Sequence, residues 1–278
     1  LKQDDASLAE YLKSAYLHPP SREEYNLSTD PIYKNQRHAF SWNFIHRHLI
    51  SLFGNQTGGF FVEAGALDGE FLSTSLYFEQ NLNWTGLLIE PNPDSYKELK
   101  MKNRKAWSSN TCISSTPYLS TIVLIALQKN ETAPKDALDL NPWVYRGSSY
   151  ESHITIPLGK AYERFMSKTV GTNVTVKCFP LFTYLSVLNK TMVDFITLDI
   201  QGTEKDVIKY FPFDKIDVKV FVIEHIPPTK YLDSDLETFM ITKGYQLIAC
   251  GAEPDYIYVS RKAFPDIKFP TVDECEYH

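Results

Sequence analysis

The sequence contains no run of 18 apolar residues, so no stretch of it reads as a membrane-spanning helix. It has no C-x-x-C pair and no Cys/His cluster, which leaves no framework for a structural zinc ion. The G-x-G-x-x-G fingerprint of dinucleotide-binding proteins is also missing. Positive charge is scarce: 28 Lys and Arg stand against 34 Asp and Glu, a net charge of −6. That balance argues against a nucleic-acid partner. Cysteine is limited to Cys112, Cys178, Cys250 and Cys275, enough for two disulfides in any of three pairings.

What is present is a chain of 278 residues, 43% hydrophobic and 14% aromatic, able to bury a sizeable core. It is organised around Phe60 to Glu90, which reads as strand, glycine turn, helix, turn and strand. Phe60-Phe61-Val62 is an apolar run suited to a strand covered on both faces. Gly65 and Gly69 frame the turn, and the spacing predicts a helix over Leu72–Gln80, with free N–H groups beside the turn. Gly86-Leu87-Leu88-Ile89 forms the second strand and ends in Glu90, placed to accept the hydroxyls of a ribose. Glu63 precedes the first glycine by two residues. An acid there disfavours phosphate and suits a cation, which fits S-adenosylmethionine.

Further apolar runs alternate with helical stretches along the chain. Thr111–Ser114 and Thr121–Leu127 read as strands, as do Val193–Ile200 and Val218–Glu224. Tyr231–Lys243 reads as a helix with Gly244 after its end. Residues 129–175 form the least regular part, with Trp143, Tyr145 and Tyr150 available to stack on a flat partner. Tyr245–Ala249 and Tyr256–Ser260, joined through 251–254, predict an antiparallel hairpin. The pattern implies an α/β fold with a doubly wound, mostly parallel sheet. Its expected organisation is a helical N-terminal extension over 1–57, a core domain over 58–263 with an insertion at about 129–175, and a tail over 264–278. In such sheets ligands lie beyond the carboxyl ends of the strands. The polar residues there are Glu63, Asp68, Glu90, Asp199, Gln201, Glu224 and His225. Lys97, Lys100, Lys102, Arg104 and Lys105 read as the solvated face of one helix. His46 and His48, two apart on a helix, cannot share a metal ion.

Six Asn-x-Ser/Thr triplets begin at Asn26, Asn55, Asn83, Asn130, Asn173 and Asn189, where composition alone gives about two. The excess points to the secretory pathway, with glycans expected on Asn26, Asn55, Asn130, Asn173 and Asn189; Trp84 and an adjoining strand set Asn83 aside. The expected disulfides are Cys112–Cys178 and Cys250–Cys275, consistent with an oxidising compartment. A start at Leu1 rather than Met leads us to expect an upstream signal peptide or anchor. The expected location is the lumen of the endoplasmic reticulum or Golgi, or the cell surface, as a single-pass ectodomain.

Seven blocks carry a resemblance: FFVEAGALDGE (60–70), WTGLLIEPNP (84–93), NRKAW (103–107), VKCFPLF (176–182), VDFITLDIQGTEKDVI (193–208), VKVFVIEHI (218–226) and GYQL…DYIYV (244–259). In this order they resemble the FkbM-type methyltransferases, most closely the invertebrate branch that includes the membrane protein Star. The resemblance implies a class I methyltransferase-like Rossmann fold. It implies S-adenosylmethionine contacts from Glu63, Gly65, Ala66, Asp68, Gly69, Glu90, Pro91 and Asp199. Asp199 and Glu204 match a D-x-x-G-x-E block whose third position is often Glu in the family and is Gln201 here. The expected activity is O-methylation of a hydroxyl, with a glycan as the acceptor. His225 is the first candidate for the base, with Asp199 and Glu224 beside it; Asp199, Glu224 and a water as a divalent-metal site is the weaker alternative, and no metal is expected. The rival reading, from the Star-like resemblance and Gln201, is a catalytically silent lumenal or surface protein that binds or traffics a protein partner.

Overall fold

The structure is a computed structural model that describes residues 1–31, 33, 40–130, 149–152, 169–224, 233–250 and 255–267. The chain opens with α1 (Ala6–Ala15) and the short strand β1 (Leu17–His18), followed by α2 (Phe40–Phe53). Then come β2 (Phe60–Ala64), α3 (Leu76–Leu82), β3 (Thr85–Ile89), α4 (Pro93–Met101) and β4 (Trp107–Ser109). Strands β5 (Cys112–Ile113), β6 (Ser120–Lys129), β7 (Tyr150–Glu151) and β8 (Thr169–Phe179) follow. The remainder is α5 (Leu181–Val187), β9 (Met192–Leu198), α6 (Glu204–Tyr210), β10 (Asp217–Glu224), α7 (Ser234–Thr242), β11 (Tyr245–Cys250) and β12 (Asp255–Ser260).

The main sheet has the order β1-β4-β3-β2-β9-β10-β12-β11. Strands β4, β3, β2, β9 and β10 are mutually parallel, and β12 runs antiparallel between β10 and β11. The chain moves outward from β2 to β4, then returns to build β9 on the other side of β2. The switch point therefore lies between β2 and β9, where a doubly wound sheet leaves a crevice at its carboxyl edge. Alternate residues of each strand feed opposite faces. Val62, Leu87 and Ile196 pack with Leu8, Leu12, Tyr184 and Ile208, whereas Phe61, Leu88 and Phe195 pack with Leu49, Phe78 and Leu99. Helices on both faces thus cover strands that are apolar on both sides, as the continuous runs in the sequence require. No described helix is long and apolar enough to cross a membrane.

Four expectations about local structure are corrected. The first helix after the glycine turn begins at Leu76 rather than Leu72, because Ser73, Thr74 and Ser75 turn back to bond Glu63. Leu72 itself lies at φ 55°, outside any right-handed helix. The third main-sheet strand on this side is Trp107–Ser109, not Thr111–Ser114, of which Cys112–Ile113 passes to a second sheet. That second sheet has the order β5-β8-β6-β7, and β8 occupies Thr169–Phe179, partly within the stretch read as irregular. Finally, α4 ends at Met101, and Lys102 and Arg104 are buried beyond it, not solvated.

Cys112 and Cys178 are register partners on β5 and β8 and form a disulfide. Cys250 is also disulfide-bonded, and Cys275 of the second expected pairing lies outside the described residues. Closing the long loop between β5 and β8 restricts the unfolded chain. The double change Cys112→Ser, Cys178→Ser is expected to lower stability by about 2–4 kcal/mol, measured by urea denaturation.

Candidate active site

The carboxyl tips of β2, β3, β9 and β10 carry Gly65, Glu90, Asp199 and Glu224, and the sheet order brings them together. The closest approach is between backbones. The Asp199 N–H donates to the Ala64 carbonyl at 3.1 Å. Gly65 adopts φ 86°, and a Cβ there would collide with the Asp199 carbonyl oxygen. Only glycine combines that backbone conformation with that contact. Gly65→Ala is therefore expected to lose about 1–3 kcal/mol from backbone strain alone and to push Asp199 out of place, measured by denaturation and by cofactor titration. Gly69, at φ 76°, packs so tightly that a Cβ would meet Leu99. Both glycines serve the packing of the turn against its neighbours. The Gly65 and Ala66 N–H groups both donate to the Ile89 carbonyl at 3.0 Å, which ties the turn to β3.

Glu90 is buried, and its two oxygens accept the N–H groups of Leu67 and Asn92, each at 2.8 Å. An ionised carboxylate offers about four acceptor positions, so Glu90 is short of donors. Burial pushes its pKa up to about 8, assisted by the charges of Asp199 and Asp68 and opposed by those two N–H groups. The tip is held from outside by Asn110, whose amide donates to the carbonyls of Glu90 and Pro91 at 2.8 and 3.2 Å. Asn92 caps α4 by accepting from the Asp94 and Ser95 N–H groups.

Asp199 is exposed at the strand tip, and desolvation by the surrounding protein raises its pKa. It is hydrogen-bonded to Glu224 and accepts from the Gln201 amide at 2.8 Å. Glu224 is half-buried and rises well above the usual carboxylate range, first because of the Asp199 charge and then through burial. Two adjacent carboxylates resist ionising together, which raises the affinity of the pair for a proton. Glu204 closes the loop behind Asp199 by accepting the Ile200 N–H at 3.0 Å and the Gly202 N–H at 3.0 Å. This holds Gln201 and Gly202 at φ 58° and 116°.

Other expected site residues are engaged elsewhere. Glu63 sits inside the protein and accepts from Ser73 Oγ at 2.9 Å, the Thr74 N–H at 3.0 Å and the Ser75 hydroxyl. Burial raises its pKa, and Arg104 is the leading opposing influence. Asp68 is fully buried and accepts the N–H groups of Glu70 and Phe71 at 3.0 and 2.7 Å. His225 lies outside the described residues, as do Trp143 and Tyr145. No group of three or more His, Cys, Asp or Glu among the described residues is arranged to hold a metal ion.

Two cations assigned to a solvated helix face are instead structural parts of the turn. Arg104 donates to both oxygens of Glu79 at 3.1 and 3.2 Å, to the Gly69 carbonyl, and to Ser73 and Ser75 at 3.2 and 2.9 Å. Lys102 donates to Glu70 at 2.7 Å and lies 4.7 Å from the centre of the Tyr33 ring. Their burial had no local signal, because the partner carboxylates are remote in sequence.

A family model described as the methyltransferase FkbM domain matches residues 63–247. No curated protein matches the sequence. Among solved structures, a SAM-dependent methyltransferase from Aquifex aeolicus is similar at 10% identity, over 83% of this chain and 96% of that one, with a TM-score of 0.32. That likeness is too distant to bear on function.

Proposed function

Because the chain belongs to the FkbM methyltransferase family, we propose that it is an S-adenosylmethionine-dependent O-methyltransferase whose site is the crevice between the tips of β2, β3 and β9. The cofactor is S-adenosylmethionine, which supplies a methyl group on a positively charged sulfur. The single observation that carries the site assignment is Glu90, a buried carboxylate with two backbone donors and acceptor positions to spare. Ribose hydroxyls would complete it, and a cationic ligand would draw off its proton.

In this reading Gly65 and Pro91 border the crevice, and both are partly exposed. Glu63, Asp68 and Gly69 shape the turn from behind rather than touching the ligand. As the acceptor oxygen bonded to the methyl carbon, the carbon–sulfur bond would break to release S-adenosylhomocysteine, and an ionised carboxylate of the Asp199–Glu224 pair would take the hydroxyl proton. Its raised affinity for a proton suits that role at neutral pH. Alignment of the two reactants in the crevice supplies much of the remaining acceleration.

We further propose a glycan acceptor and a secretory-pathway setting. Asn26, Asn55, Asn173 and Asn189 are exposed and Asn130 is half-exposed, with the Asn26 amide nitrogen donating to the Met101 carbonyl at 3.1 Å. The excess of triplets and the paired cysteines support the setting. The rival reading as a Star-like binding protein is favoured by one observation. Gln201 occupies an Asp199 oxygen that a second carboxylate would leave free.

Calorimetric titration with S-adenosylmethionine, followed by methyl transfer to a panel of glycans, tests the proposal. Cofactor binding with transfer to a sugar hydroxyl is the expected result. Binding without turnover on any hydroxyl acceptor would favour the rival reading, and the absence of binding at millimolar cofactor would remove the enzyme assignment.

A further inference from the structure

We infer that Tyr33 and Lys102 are positioning residues for cofactor binding: with the N-terminal arm they fix the buried side of the turn that borders the crevice. This rests on the site assignment above, but Tyr33 lies outside the region that matches the family model. The arm runs along the loop after α4. The Ser21 and Asn26 N–H groups donate to the carbonyls of Arg104 and Lys102 at 3.0 and 3.2 Å. Further on, the Ser28 N–H donates to both oxygens of Glu70, at 3.0 and 2.8 Å.

At the end of the described arm the Tyr33 hydroxyl donates to Asp68 Oδ2 at 2.7 Å. The other oxygen, Oδ1, accepts the N–H groups of Glu70 and Phe71 and so sets the turn. Lys102 closes the cluster, with Nζ 2.7 Å from Glu70 and 3.6 Å from Asp68. The Tyr33 ring packs on Phe71 and Leu67. Burial and the Asp68 carboxylate raise the Tyr33 phenol, which keeps it a donor across the working range. Asp68 has no exposure to solvent, so water cannot replace the hydroxyl unless the turn opens. The turn continues directly into Leu67, whose N–H holds Glu90. The arm therefore acts on the ribose end of the site through one residue of backbone.

The test compares Tyr33→Phe and Lys102→Met with Tyr245→Phe, which removes a buried hydroxyl bonded to the Val218 carbonyl at 2.6 Å, away from the site. Affinity for S-adenosylmethionine is measured by calorimetry, and amide hydrogen exchange is followed at Glu70 and Phe71. Both site variants are expected to weaken cofactor binding about tenfold, to leave kcat at saturating cofactor unchanged and to speed exchange at these amides about tenfold. Tyr245→Phe is expected to change thermal stability but neither readout. Unchanged exchange in Tyr33→Phe would overturn the inference. Exchange and affinity both shifted equally by Tyr245→Phe would reduce the effect to general destabilisation and overturn it too. If the wild-type protein fails to bind cofactor, the site assignment and this inference fall together, whereas wild-type binding with unchanged affinity and exchange in both variants overturns this inference alone.

Discussion

Replacing Arg104 with Ala lowers the stability of the fold by about 3–5 kcal/mol, because it strands a buried carboxylate. For a domain of this size the thermal transition should fall by roughly 10 °C, read by scanning calorimetry. The guanidinium side chain is 1% exposed and that of its partner Glu79 is not exposed at all. Loss of the cation leaves Glu79 with the Lys105 N–H at 2.6 Å and the Tyr25 hydroxyl as its donors. It also frees the Gly69 carbonyl and removes the positive charge that opposes the burial of Glu63. Most of the loss is the penalty of an unpaired charge, not the net worth of the pair. The double change Arg104→Met, Glu79→Gln should therefore recover a large part of the stability, while Arg104→Met alone should resemble Arg104→Ala. Equal stability of the single and double variants would contradict this account of the turn.

The affinity for S-adenosylmethionine should rise about tenfold per pH unit from pH 6 towards 8 and level off above that, because the ionised form of Glu90 is the one that accepts ribose hydroxyls. Its pKa is raised from 4.5 to about 8, chiefly by burial. Near neutral pH, binding should release close to one proton, measured by calorimetry in buffers of different ionisation enthalpy. Glu90→Gln should abolish that release and weaken binding about 100-fold at pH 8.5, the loss of two hydrogen bonds to a charged group. The effect on folding has the opposite sign. The unfolded chain ionises this group near 4.5 and the folded chain only near 8. The folded state holds the extra proton between those values, so this contribution is present below 4.5 and is lost as pH rises through 8. The thermal shift produced by cofactor should accordingly be larger at pH 8 than at pH 6.

The parts of the fold that announce themselves in the sequence are those whose cause is local. Phe60-Phe61-Val62, Leu87-Leu88-Ile89 and the runs of β9 and β10 are apolar because both faces of those strands are covered, and each appears as a strand in the structure. Glu90, Asp199 and Glu224 follow from the ends of those runs once a parallel sheet is inferred. The first helix was misplaced because its start is set by Glu63, thirteen residues before Leu76, and not by its own capping residues. Strand β4 is three residues long, two of them serine, and too short to carry a period. Strand β8 did offer a signal. Val174, Val176 and Cys178 alternate with Thr175 and Lys177, and burial follows the alternation at Val176 and Cys178. The burial of Lys102, Arg104 and Tyr33 had no such sign, since their partners Glu70, Glu79 and Asp68 lie 25–35 residues away in the chain.

A crystal structure of the protein with S-adenosylhomocysteine tests the central assignment most directly. The account predicts the ligand across the tips of β2, β3 and β9, with its ribose hydroxyls on the Glu90 carboxylate and its sulfur facing Asp199. A ligand bound away from these strands, or Glu90 still directed only at its own loop beneath it, would contradict the account.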